Sequence, residues 1–157
     1  MWTASRPRTD RILAAIELPA LGLWLGAPCG FAFIVAPIAF RIVGATDVTR
    51  FAALTAAILG SLTTFSYVAG AIAIVVALVR SRAAGDRTFD FIRALIVLVA
   101  LGLIWLQSSV IVPAMAATTD LHSSAYHELH GRSTLIFGGA VLLGLIALVM
   151  AAIRRDS

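Results

Sequence analysis

The chain has 157 residues, of which 61% are hydrophobic and 13% charged, and its mean hydropathy is +0.99. A small soluble domain leaves too much of its chain exposed to hide that much apolar surface, and it ordinarily carries about a quarter charged residues; the lipid bilayer is the solvent that suits this composition. The formal charge is +4 and every basic residue is Arg, so lysine Schiff-base chemistry is excluded, and with it a retinal pigment or a pyridoxal enzyme. The single cysteine, Cys29, excludes an intrachain disulfide and a cysteine-rich metal centre.

Arg6, Arg8 and Arg11 lead into a first apolar run at 18–40. It is longer than the roughly 7–15 residues of a signal-peptide core. Gly26-Ala27-Pro28-Cys29 is similar to a lipoprotein cleavage box, but Pro28 directly before the cysteine is a poor residue for cleavage; retention as a membrane span is expected. Gly22, Gly26 and Gly30 recur every fourth residue along this run and share one bare face, which suits close helix packing, either within the chain or against a partner. Pro28 and Pro37 each remove a backbone donor, and a kink is expected there.

Three further runs, at 51–79, 94–118 and 133–153, carry no charge. Each is long enough to cross a hydrocarbon core of about 30 Å, and without water to satisfy the backbone each must be helical. The connections are short, so successive spans run antiparallel. The expected fold is all-α: an integral membrane up-down four-helix bundle forming one domain over 1–157. Nine arginines (6, 8, 11, 80, 82, 87, 93, 154, 155) flank one side and three (41, 50, 132) the other. That asymmetry places both termini in the cytoplasm.

Within the spans, Thr63, Thr64, Ser66 and Tyr67 in the second and Gln107, Ser108 and Ser109 in the third lie at similar depth. They suit either interhelical hydrogen bonding or a small outward-biased cavity for a neutral or weakly polar ligand. Pro113 repeats the proline signal near the end of the third span, and Ala140, Gly144, Ala147 and Ala151 form a small-residue stripe on the fourth. Proton relays place ionisable groups well inside the membrane; here Glu17 and Arg41 sit at span ends, with Glu17 expected to snorkel or to pair with Arg11 or Arg93.

The three histidines, His122, His127 and His130, fall in the last external segment. A helix beginning near Ser123 or Ser124 puts His127 and His130 on one face and lets Glu128 pair with Arg132. The segment reads either as an interfacial helical turn or as a metal site completed by Asp120, Glu128 or Met115. A haem inside the bundle is disfavoured, since all three histidines lie on one segment. No phosphate-binding loop, nucleophile elbow or catalytic carboxylate pair is present.

Trp24-Leu25-Gly26, Phe31, Ala36-Pro37-Ile38-Ala39-Phe40, Pro113 and Leu129-His130-Gly131-Arg132-Ser133 together resemble the transmembrane protein 205-like family of small four-span membrane proteins, over roughly Leu21 to the end of the fourth span. The chain has Leu135, Ile136, Phe137 and Gly138 where that family often carries Asn. The family has been linked to movement of sulfur-bound metal; one cysteine does not supply the paired sulfur ligands such a path needs. The resemblance marks Pro37 and His130 as motif residues without assigning them roles.

The expectation is a non-enzymatic membrane protein without cofactor, either an accessory subunit or a small-ligand binder. Its partners would be the bilayer and either a second copy or another membrane subunit, not nucleic acid. The alternatives are a permeation path for a small neutral solute and a metal-binding protein using the external histidines.

Overall fold

The computed structural model describes residues 8–83, 87–118 and 123–153. Among them are four helices long and apolar enough to cross a membrane, and no strand. Helix α1 runs Arg8–Gly30 and continues through π-helical turns at Phe31–Val35 and Phe40–Gly44, on either side of Ala36–Ala39. Helix α2 is Val48–Ala83. Helix α3 is Arg87–Leu106, continued by a π-helical turn at Gln107–Ile111 and by Val112–Ala116; helix α4 is Ser124–Ile153. Chain neighbours pack on one another and α4 returns to pack on α1, as an up-down bundle requires. The helices run beyond the apolar stretches at most of their ends, because charged residues at a run's edge extend a helix as readily as they end it.

Prolines account for two of the three π-helical turns among the described residues. The turns at Phe31–Val35 and Gln107–Ile111 each end two residues before a proline, Pro37 and Pro113. A proline cannot donate to the carbonyl four residues back, and its ring collides with that carbonyl; widening the preceding turn by one residue relieves the collision. At Pro37 and Pro113 the expected disturbance is thus a local unwinding within a continuous helix, whereas α1 stays α-helical through Pro28.

Three residues join α1 to α2. The Asp47 side chain caps α2 by accepting from the Arg50 amide at 2.9 Å, one of the otherwise orphaned donors of a helix start. Phe40 packs edge-to-face on Phe51, ring centroids 5.3 Å apart. Gly44 leaves room for that ring, since a Cβ there would lie 2.5 Å from Phe40. At the other connection Ser123 Oγ accepts from the Tyr126 amide at 3.2 Å, so α4 starts where the sequence suggested a helical turn.

The core is a column of small residues filled from one side. Ala69 and Ala73 of α2, Val97 and Ala100 of α3, and Ala147 and Ala151 of α4 surround Leu21 and Trp24 of α1. The small stripe of α4 is buried along its length, at Ala140, Gly144, Ala147 and Ala151. Gly144 is its point of closest approach, with Leu25 2.7 Å and Trp24 3.0 Å from where its Cβ would be. The glycine stripe of α1 behaves differently. Among the described residues, a Cβ at Gly22, Gly26 or Gly30 meets nothing within 4 Å, which leaves this face open to a partner.

Candidate functional site

Two polar layers lie inside the bundle, and the core separates them. The layer nearer the 45–47 connection is a cavity of about 200 Å³ reached by all four helices. Its walls are mostly aliphatic: Leu59, Leu62, Leu103, Ile104, Val112 and Ile136, with Pro28 from α1 and Phe137 from α4. Four polar side chains interrupt them, Thr63 and Ser66 from α2 and Gln107 and Ser108 from α3. A largely apolar pocket with a few placed polar groups is the ordinary form of a small-molecule site.

Hydrogen bonds fix the polar wall. Gln107 Nε2 donates to Ser133 Oγ of α4. That leaves Gln107 Oε1 as a buried acceptor with no hydrogen-bond partner among the described residues. Ser108 Oγ donates to the Trp105 carbonyl at 3.2 Å and lies 3.3 Å from the Tyr67 hydroxyl; the Tyr67 hydroxyl therefore donates to Ser108. Of the seven residues singled out at this depth, Thr63, Ser66, Gln107 and Ser108 line the cavity, while Tyr67 braces it from α2. Thr64 and Ser109 face outward, and Thr64 returns its hydroxyl to the Gly60 carbonyl of its own helix at 3.2 Å.

The second layer is ionic. Glu17 of α1 sits between two guanidinium groups, with Arg80 Nη1 2.8 Å from Oε2 and Arg93 Nη2 2.9 Å from Oε1. The same Arg93 nitrogen lies 3.0 Å from Asp90 Oδ1. All four residues are buried, none more than 2% exposed. The four charges sum to zero, which is the condition for holding them out of water together. Arg93 Nε and Nη1 have no hydrogen-bond partner among the described residues.

This layer corrects the sequence reading. Glu17 neither snorkels nor pairs with Arg11, which is exposed. It pairs with Arg93, as one of the alternatives held, and with Arg80 as well. Arg80 and Asp90 were missed. A signal existed: Asp90, Arg93, Val97 and Ala100 continue the buried stripe of α3, and Glu17, Leu21 and Trp24 that of α1. Spacing of that kind places a charge on the inward face even at the end of an apolar run.

The histidines give no comparable construction. His127 and His130 are exposed. The Tyr126 ring is edge-on to His127 and stacked on His130, with centroids 6.3 Å and 6.2 Å away. Glu128 and Arg132 form an exposed ion pair. Among the described residues no three His, Cys, Asp or Glu side chains are grouped to hold a metal ion; His122 and Asp120 lie outside the described residues.

A family model for a domain of unknown function, DUF4149, matches residues 20–124. The match takes in the α2 and α3 walls of the cavity, together with Arg80, Asp90 and Arg93 of the ionic layer. No curated protein and no solved structure matches the chain.

Proposed function

The chain belongs to the DUF4149 family, and from that premise we propose that it is a non-enzymatic, multi-pass membrane protein that binds a small uncharged molecule in its four-helix cavity. The likeness to the transmembrane protein 205-like family belongs to this reading, as the kind of four-span protein the chain represents. By the arginine asymmetry both termini are cytoplasmic; the cavity then lies in the outer half of the bundle and the ionic layer near the cytoplasmic face.

One observation carries the ligand class. Gln107 Oε1 is a buried acceptor with no donor among the described residues, on the wall of a mostly aliphatic cavity. A ligand with a hydroxyl or amide N–H supplies the missing donor, and its apolar part suits the remaining wall. Leaving such an acceptor unmet costs about 1–3 kcal/mol, which is the selectivity available for a donor-bearing ligand over its apolar analogue.

Thermal unfolding of the purified protein in neutral detergent, with phenol against toluene as probes, tests the reading. Phenol is expected to raise the midpoint more than toluene, and Gln107→Leu is expected to abolish the difference. Equal effects of the two probes on the wild type would remove the proposal. A second reading, an accessory subunit, is favoured by the open Gly22, Gly26 and Gly30 face. Cross-linking in native membranes that traps neither a second copy nor another membrane protein through α1 would count against it.

A further inference from the structure

The cavity and the ionic layer are reached by the same two helices, through Ser66 and Arg80 of α2 and Gln107 and Arg93 of α3. Along α2 the inward residues from Ser66 to Arg80 cover about 21 Å at a helical rise of about 1.5 Å per residue, and Gln107 to Arg93 on α3 covers about the same. Between the layers the buried residues of α2, α3 and α4 are mostly small, Ala69, Ala73, Ala100 and Ala147, with Val97 among them. Against these small residues α1 packs Leu21 and Trp24, 0% and 3% exposed. Glu17, the carboxylate that bridges Arg80 and Arg93, lies on the same face of α1. One helix supplies both the plug and the ionic closure.

That helix is also the one best placed to move. It has two π-helical turns toward the 45–47 connection, where backbone hydrogen bonds are already rearranged around Pro37. Among the described residues, a Cβ added at Gly22, Gly26 or Gly30 on it meets nothing within 4 Å. Phe33, Ile34 and Ile38 in the same stretch are more than half exposed.

We propose that the chain is a gated passage for a small uncharged hydrogen-bonding solute, of the polyol or amide class, with the cavity as its mouth and Leu21, Trp24 and Glu17 of α1 as the closed gate. The proposal rests on the ligand-binding reading of the cavity. Gln107 Oε1 takes a donor from the solute on entry. Beyond the plug, Arg93 Nε and Nη1, without hydrogen-bond partners among the described residues, offer donors to a solute oxygen. Displacing α1 withdraws plug and carboxylate together, so the passage opens as one step. The Glu17 ion pairs make the closed arrangement the resting one, and an uncharged solute passes without bringing a new charge into the bundle.

The full chain reconstituted in phosphatidylcholine liposomes tests this by stopped-flow swelling in glycerol and urea gradients; both solutes cross bare lipid slowly. Trp24→Ala and Glu17→Gln are each expected to raise the swelling rate by roughly tenfold over wild type, as a shift toward the open population, while lipid-facing Leu135→Ala leaves it unchanged. Folded variants, judged by helical circular dichroism and monodisperse elution, that swell at the wild-type rate overturn the proposal. Ala100→Cys in a Cys29→Ala background is a gentler probe. A water-soluble methanethiosulfonate is expected to modify it, and faster when Trp24→Ala is added. Absence of modification in both overturns the passage. Phenol stabilisation of the wild type without any such opening removes the passage and leaves the binding reading standing, whereas loss of the phenol effect removes the binding reading itself.

Discussion

Arg93 meets two carboxylates through one nitrogen, Glu17 from another helix and Asp90 from its own, while being fully buried. Removing one member of such a set strands the rest out of water. Arg93→Leu is therefore expected to destabilise the fold by about 3–5 kcal/mol, read from denaturant unfolding in mixed micelles. Arg132→Ala breaks an ion pair of similar geometry whose side chains are 63% and 64% exposed, and should cost less than about 1 kcal/mol. Equal losses at the two positions would show that the inner layer is solvated. The same contrast explains what the sequence made legible. The neutral layer could be read because Thr63, Ser66, Gln107 and Ser108 interrupt apolar runs at their middles. The ionic layer was read only in part, as the Glu17–Arg93 alternative, because Glu17, Arg80, Asp90 and Arg93 lie at the edges of runs, where a linear reading hands most charges to the headgroups.

At the scale of elements, a glycine's value depends on what stands opposite it. Gly144→Leu intrudes on Leu25 and Trp24 and should weaken the docking of α1 on α4 by about 1–3 kcal/mol, seen as a lower unfolding midpoint. Gly26→Leu faces open space and should change the stability of the purified monomer by no more than about 0.5 kcal/mol. The two stripes look alike in the sequence, and a repeat of small residues says only that a face is bare. Asp47→Ala removes the side-chain cap of α2 and should cost about 1 kcal/mol, with Asp47→Asn retaining most of it; the comparison is made by thermal unfolding. The four helices themselves were readable from hydropathy because the bilayer leaves the backbone no alternative. Apart from the start of α4 at Ser123, their ends were not, since a cap such as Asp47 is a single residue whose effect depends on the turn around it.

For the molecule as a whole, orientation follows from charge that remains available to the headgroups. Arg80 and Arg93 are neutralised internally by Glu17 and Asp90, and seven arginines still stand against three. Alkaline phosphatase fused after Arg82 should be inactive and fused after Ser123 active. Activity at both positions, or at neither, would contradict an up-down bundle with cytoplasmic termini. Charge replacement at Arg80 should leave this topology unchanged, because that guanidinium is spent on Glu17.

The pairing of Glu17 with Arg80 spans 63 positions of the chain, and this sets an order on biogenesis. When α1 leaves the ribosome neither Arg80 nor Arg93 has been made, and the first of these two guanidinium groups arrives only as α2 is completed. The nascent helix must therefore be sheltered by the insertion machinery, or hold its acid in the interfacial zone, until two later helices have entered. Arrested chains ending before residue 80 should be extracted from the membrane by alkaline carbonate more readily than chains ending after residue 93, and Glu17→Leu should erase that difference.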